Sequence, residues 1–513
     1  MPILSWLNKD EAVTTAKRCA YRLLEEVPEL SYGNSYDENL LIQGDNLEAL
    51  KALIPFYAGK VKCIYIDPPY NTRSAFEHYD DNLEHSQWLS LIYPRLELLR
   101  SLLAENGCIW INLDDRESHY AKVILDEIFG RKNFIQSITW NRKVSPANDA
   151  TWFSNDHDLL FVYAKNASSF TINRLERSDK HNKSYTNPDK DSRGPWNSVT
   201  FTGNKNRKER PNLYYEITNP NTGEKIWPPD NLTWRGSKDR SIQLIKDNLL
   251  YWGKDGKSKS PRLKRFLSEA KPVVPRSVWQ YDDVGHTQEA MTEQKLLFST
   301  PFGTPKPERL IARILHISTR KNDLVLDSFL GSGTTAAVAQ KMNRRFIGIE
   351  IGEHAKTHCQ PRLKKVVDGE KGGISKAVKW EGGSGFRFCK LGDMVFDEYG
   401  CLNSSIKFPT LAAHLWYLET KTPLGKIKHS ALLGQHKDTV YYLLYNGILG
   451  DKRPQGGNVL TSKVLTSLPK IDRHMGDEMI KIVIYGESSR SGEARLAKAG
   501  ITFKQIPYDV GSL

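Results

Sequence analysis

The chain has 513 residues, too many for one ordinary hydrophobic core, so two or three domains are expected. Hydrophobic residues at 39% and charged residues at 26% describe a folded, soluble protein, and six scattered cysteines without a CxxC pair exclude a disulfide scaffold and a cysteine zinc site. The net charge of +13 is uneven: Trp140–Gln280 holds 26 basic and 15 acidic residues, a local net of +11, which leaves +2 for the other 372 residues.

In chain order, residues 1 to 38 read as a helical lead-in, with apolar positions at Ala16, Ala20, Leu23 and Leu24. Lys9, Asp10 and Glu11 interrupt the apolar run that a secretory leader needs, and no apolar stretch approaches the roughly 18 residues of a membrane span. An intracellular, cytoplasmic protein without membrane association is the expectation. Then come a strand (39–43), a helix (46–54), a strand (61–66), a helix (87–105), a strand (108–113), a helix (115–129) and a strand (135–140). Continuous apolar strands alternating with helices imply an α/β fold around a mostly parallel sheet.

From 141 to 285 the rhythm stops. This stretch is rich in Asn, Pro and Lys, and with Trp140 at its edge it carries seven of the twelve tryptophans. Aromatics within a basic segment suit a phosphate backbone and exposed bases; a solvated basic surface around an aromatic core is the alternative. The α/β pattern resumes with a helix (307–318), a strand (324–327), a helix (334–342) and a strand (345–351). One α/β domain is thus expected over 39–140 and 286–380, with an α+β region over 381–513 that ends in a βαβ unit.

Two motifs carry chemistry. Asp67-Pro68-Pro69-Tyr70 follows the strand Lys62–Ile66 directly. Two prolines fix φ and remove two backbone donors, so a carboxylate, acceptor-only carbonyls and an aromatic ring gather at a strand's carboxyl end, where open α/β sheets bind ligands. The set matches the two N–H donors and the flat face of a purine bearing an exocyclic amino group; a rigid strand exit is the alternative. The second motif runs from Asp327 through Phe329, Gly331 and Gly333 to Thr334 and Thr335, again between a strand and a helix. Its glycines permit close backbone approach, and its helix start offers free N–H groups. Glu350 stands at the end of the next strand, where a carboxylate grips ribose hydroxyls in nucleoside-binding folds. Without a lysine after Gly333 this is no ATP-binding P-loop; a plain glycine turn is the other reading.

In this order the two motifs resemble the β group of amino-methylating DNA methyltransferases, and within it the Mod-like type III adenine-N6 enzymes. The resemblance rests on NLLIQGDNLEALKAL, IYIDPPYNT, GCIWINLDD, FGTPKPERLIARIL, LDSFLGSGTT, RFIGIEI and GGSGFRF. It implies a Rossmann-like methyltransferase fold, S-adenosylmethionine as donor and a flipped adenine of double-stranded DNA as acceptor. The insert over 141–285 falls where that family carries its target-recognition region. Asp67, Pro68, Pro69 and Tyr70 are then the catalytic group, with the two acceptors drawing out the N6 lone pair while Tyr70 stacks on the base.

Cofactor contacts implied are Asp327, Phe329, Gly331, Gly333, Thr334, Thr335 and Glu350, with Asp45 near the cofactor adenine and Lys306 and Glu308 in a segment that closes over it. For Asp45, Lys306 and Glu308, surface charge or helix capping is the competing role. Lys205, Arg207, Lys208 and Arg210, with Trp234 and Arg235, are the DNA-contact candidates, a solvated loop being the alternative for the basic cluster; His78 in the loop after Tyr70 reads as an exposed loop residue, with a place beside the target base as the other reading. No histidine spacing suggests a metal. The resemblance also implies a homodimer and leaves room for a separate restriction subunit in a bacterial cytoplasm; the tail after 390, with its apolar Leu411–Leu418 stretch and terminal βαβ, is the expected spare surface, the alternative being that it folds back as a private subdomain of a monomer. Cytosine-N4 methylation and a non-catalytic DNA-specificity subunit are the rival functions.

Overall fold

A computed structural model describes residues 3–34, 38–70, 84–397, 400–425, 430–469, 474–475, 478–508 and 510. His78 lies outside them. In chain order the elements that position the site are α1 (Lys9–Arg18), β1 (Arg22–Glu26), β2 (Leu40–Gln43), α2 (Asn46–Tyr57), β3 (Val61–Ile66), α3 (His85–Leu102), β4 (Leu103–Leu113), α4 (Asp115–Leu125), β5 (Phe134–Asn141) and β6 (His157–Ala164). They continue as β7 (Val278–Trp279), α5 (Glu308–Ser318), β8 (Leu324–Asp327), α6 (Thr334–Lys341), β9 (Arg345–Glu350) and β10 (Gly385–Met394).

These strands form one sheet in the order β1-β10-β2-β9-β8-β3-β4-β6-β5-β7, and Tyr32–Gly33 pairs with β10 at the side. From β10 through to β4 every neighbouring pair is parallel. Their side chains are buried on both faces, as in Val61, Cys63, Ile64 and Ile66 of β3 and all four residues of β8, which is why they read as unbroken apolar runs. The fold is thus α/β with a mixed, mostly parallel sheet.

Four expectations need correction. Leu23 and Leu24 lie in β1, which pairs antiparallel with β10, so among the described residues of the lead-in the α-helix is confined to α1. Helix α3 stops at Leu102 and the chain enters β4 at the next residue. Strand β6, expected within the insert, is a central sheet strand, antiparallel to both β4 and β5. Its run Leu159–Ala164 is apolar throughout, and it closes a hairpin from β5 instead of following a crossover helix. The compact units accordingly divide the chain at 174 and 275: one holds residues 1–173 and 276–513, the other 174–275. The insert is shorter at both ends than composition suggested.

The region after 381 is no separate unit either. Its first strand, β10, belongs to the main sheet, and α7 (Phe408–Thr420) packs Leu411, Ala412 and Leu415 against Tyr21, Leu23 and Ala52. The stretch Leu411–Leu418, expected as spare surface, is therefore largely interior. The terminal βαβ forms as read, with β11 (Thr439–Leu443), β12 (Lys481–Gly486), α8 (Glu493–Lys498) and β13 (Ile501–Gln505); the three strands are parallel. No helix among the described residues is long and apolar enough to cross a membrane.

Unit 174–275 has its own aromatic core of Phe201, Tyr215, Ile217, Ile226, Trp234, Leu250 and Trp252. Its small sheet pairs 196–200 with 262–266 and 250–251 with 262–263.

Candidate active site

The carboxyl ends of β3, β4, β8 and β9 share one edge of the sheet, because Leu326 pairs with Ile64, Asp327 with Gly348 and Ile66 with Ile111. Asp67 follows β3, Asp327 ends β8 and Glu350 ends β9, so both motifs meet at the topological position where α/β sheets bind ligands. Because β6 runs the other way, its beginning lies at that same edge, and the pairings Trp140–Asp158 and Leu113–Leu159 carry Asp158 to the site.

Around Asp67 the side chains form a tight polar group. The Tyr70 hydroxyl donates to Oδ1 at 2.6 Å and the Asn112 amide donates to the same oxygen at 3.2 Å. Lys306 Nζ contacts Oδ2 and lies 5.1 Å from the Tyr70 ring centre. Asp158 Oδ2 is 3.3 Å from the Tyr70 hydroxyl and 3.3 Å from the Asn112 amide nitrogen, and its Oδ1 is 2.7 Å from Arg142 Nε. Burial pushes Asp158 above the usual carboxylate range against the pull of Lys306 and Arg142, and burial followed by the neighbouring Asp158 and Asp67 charges holds the Tyr70 phenol well above its ordinary value. The Pro69 carbonyl accepts from Trp88 Nε1 at 2.7 Å, which fixes the end of the rigid turn.

The glycine loop is held by backbone donors. Phe329 N–H donates to Asp327 Oδ1 at 3.0 Å, and Gly331 N–H donates to Glu350 Oε2 at 2.7 Å. Gly331 and Gly333 have φ of +55° and +78°, where a side chain is strained, and a Cβ on Gly331 would stand 3.3 Å from Phe302 Cζ. Both carboxylates are almost fully buried, and burial is the main reason each is pushed up to about 7. Asp45 caps α2 through Leu47 N–H at 2.8 Å and Glu48 N–H at 3.2 Å and pairs with Arg95 at 3.0 Å. It stands beside Glu350, since β2 pairs with β9 at Gln43–Glu350.

The remaining expected residues divide. Thr335 hydrogen-bonds Asp327, while the Thr334 hydroxyl lies 2.9 Å from Ser332 Oγ and accepts from Arg362 at 2.7 Å. Lys306 sits on the Asp67 carboxylate and not on the glycine loop. Glu308 is 1% exposed, with its oxygens taken by Lys341 at 2.7 and 2.9 Å, Arg362 at 2.9 Å and Ile374 N–H at 3.0 Å. It is a buried ion-pair centre tying α5 to α6, and the cofactor role expected for it is corrected: charges contributed by distant segments consume the whole carboxylate.

Trp234 is likewise corrected. It is 1% exposed, stacks on Phe201 and donates to the Tyr215 carbonyl at 2.8 Å, so it is core and not a DNA contact. Lys205, Arg207, Lys208, Arg210 and Arg235 are exposed. Of the seven tryptophans in the basic stretch five are buried, and only Trp152 and Trp227 face solvent. Asn112, Asp158 and Arg142 went unnoticed in the sequence. Asn112 stands inside the quoted GCIWINLDD run, but nothing local marks it or the other two.

A carboxylate and rigid Pro-Pro turn thus lie beside a glycine loop with two buried acids, on one edge of a mostly parallel α/β sheet. The chain belongs to the DNA methylase family N6_N4_Mtase, whose model matches residues 61–360. It is 32% identical over 406 residues to the probable type III restriction-modification enzyme HindVI Mod subunit of Haemophilus influenzae, covering 69% of this chain and 54% of that one. It is 31% identical over 402 residues to the EcoPI Mod subunit of Escherichia phage P1, covering 67% and 62%. With the type II methyltransferase M1.MboII of Moraxella bovis it shares 45% identity over 292 residues, covering 57% and 84%. The chain therefore spans about half to three-fifths of the length of the two Mod subunits.

Proposed function

We propose that this protein transfers a methyl group from S-adenosylmethionine to the N6 amino group of an adenine flipped out of double-stranded DNA, as the modification component of a restriction-modification system. The observation that supports this most is the adjacency of two loops on neighbouring strands: one presents a carboxylate and a rigid Pro-Pro turn, the other a buried acid and backbone N–H groups. The donor, when bound, supplies an electrophilic methyl on a sulfonium. Asp327, Glu350 and the 329–335 loop would hold it, Glu350 as acceptor for the ribose hydroxyls and Asp45 on the side of its base.

Adenine N6 is a weak nucleophile because its lone pair is delocalised into the ring. Asp67 and the Pro68 carbonyl each accept one N6–H, which localises the lone pair on nitrogen, while the Tyr70 ring holds the base. Positioning and fixed acceptors provide most of the acceleration. Extrusion of the base is the step that lets the pocket reach it. The exposed cations Lys205, Arg207, Lys208, Arg210 and Arg235 suit phosphate contacts, which position the duplex without reading it.

A homodimer and a separate restriction subunit belong to the same reading. Light scattering at micromolar concentration tests the dimer, and a mass near 58.5 kDa with and without DNA rules it out. The function itself is tested by tritiated methyl incorporation into plasmid DNA followed by nucleoside analysis. N6-methyladenine is expected; N4-methylcytosine would move the chain to the sister chemistry, and no incorporation would leave a specificity protein.

A further inference from the structure

Around Tyr70 and Asn112, five donor–acceptor contacts share three hydrogens. The Tyr70 hydroxyl has one proton and two carboxylates in reach, Asp67 Oδ1 at 2.6 Å and Asp158 Oδ2 at 3.3 Å. The Asn112 amide has two protons for three acceptors: Asp67 Oδ1 at 3.2 Å, Asp158 Oδ2 at 3.3 Å and the Tyr70 oxygen. As arranged here, Asp67 takes the shorter phenol bond, and its other oxygen meets Lys306. A carboxylate oxygen already shared with a phenol is a weakened acceptor for an incoming amino group, because its electron density is partly committed.

We infer that Asp158 is a positioning residue that accepts the Tyr70 hydroxyl when the target amino group takes Asp67. Rotation about the phenol C–O bond carries the proton from one carboxylate to the other, with the ring left in place and no covalent bond changed. The inference rests on the methyltransferase reading of the site.

The surroundings of Asp158 fit this role. It is 1% exposed at the start of β6, and Arg142, the first residue beyond β5, contacts the oxygen that faces away from Tyr70. Oδ2 is thereby left turned toward the phenol. A buried carboxylate so close to Asp67 is electrostatically unfavourable, and a structural position would be served better by a neutral side chain. Burial raises the pKa of Asp158, so an added hydroxyl donor stabilises a charge that its surroundings otherwise penalise.

A double-mutant cycle tests the inference with plasmid and unmethylated genomic DNA as substrates. Asp158→Ala should lower kcat about tenfold, the value of one well-placed hydrogen bond, with little change in the KM for DNA or in S-adenosylmethionine affinity. In the Tyr70→Phe background the same change should lower kcat less than about twofold, since no hydroxyl is left to redirect. Asp158→Asn, which keeps an acceptor oxygen and the side-chain volume, should fall between the two and show the same dependence on Tyr70; it carries the cycle if the alanine variant does not fold. Equal losses in both backgrounds would overturn the inference, as would a loss confined to the KM for DNA. A wild-type chain that transfers no methyl group to either DNA overturns the proposed function, and this inference with it.

Discussion

Asp67 and Asp327 stand at the ends of neighbouring strands, β3 and β8, yet their surroundings differ in kind. Asp67 meets side chains that rotate: the Tyr70 hydroxyl, the Asn112 amide and the Lys306 ammonium. Asp327 and its neighbour Glu350 are held by backbone N–H groups of Phe329 and Gly331, which move only if the loop moves, with one side-chain bond added to Asp327 by Thr335. The Asp67 side chain keeps 20% of its surface exposed, whereas Glu350 and Asp327 keep 2% and 3%. A carboxylate that must trade partners during a reaction is served by exchangeable donors. One that must recognise the same hydroxyls each time is served by fixed ones, because preorganised donors need no reordering on binding.

The largest effect should come from breaking the exchangeable side alone. Asp67→Ala is expected to lower kcat on the order of 10²-fold or more, while calorimetry shows S-adenosylmethionine affinity close to wild type. Near-normal turnover would remove Asp67 from catalysis. A parallel collapse of cofactor affinity would erase the division between the two loops.

Breaking the fixed side should give the reverse pattern. Gly331→Val forces a β-branched residue into φ +55° and drives its Cβ toward Phe302, so the loop must shift. Cofactor affinity should fall by roughly 30-fold or more, the equivalent of about 2 kcal/mol of backbone strain. Glu350→Ala removes an acceptor without disturbing φ and should weaken the affinity by about tenfold. Unchanged affinity in both variants would place the cofactor elsewhere.

How far each loop was legible in the sequence follows from the same contrast. The glycine loop is local: its carboxylates, glycines and helix start lie within 24 residues, and short-range stereochemistry dictates most of its shape. The turn at Asp67 is local as well. The rest of the polar group is not, because Asn112 and Asp158 arrive from β4 and β6 and Lys306 from far along the chain, and Asp158 reaches this edge only because β6 runs antiparallel. The broken rhythm and polar composition after 141 hide that strand, because no helix separates it from β5.

Burial was the other blind spot. Composition counts Trp234 and Trp152 alike, though one is 1% and the other 89% exposed. Glu308 sits in a motif-like Pro-Lys-Pro-Glu run, but Lys341 and Arg362 decide its role from far along the chain. Leu411–Leu418 is as apolar as an interface needs, and Tyr21 and Leu23 from the other end of the chain pack against it.

The smallest effect expected is the pH dependence of cofactor binding, and it sharpens the comparison because the two acids of the fixed side should carry it. Burial raises Glu350 from its ordinary 4.5, and Asp327 from 3.8, each to about 7. Between about pH 4.5 and 7 the folded, unliganded protein therefore holds protons that the unfolded chain has released. The stability of the empty protein should fall as pH rises through that window and level off above it, the sign that linkage gives when the native state binds more protons. Ribose hydroxyls donate best to an ionised acceptor, so cofactor binding opposes this protonation. Affinity should rise from pH 5.5 toward 8, by at most about tenfold per unit below pH 7 for each proton released, and flatten beyond it. Calorimetry at pH 6 in two buffers of different ionisation enthalpy should register proton release on binding, and Glu350→Gln should roughly halve it, leaving the share of Asp327. An affinity that does not change between pH 5.5 and 8 would mean that neither buried acid faces the cofactor, and the contrast between the loops would then have to rest on Asp67 alone.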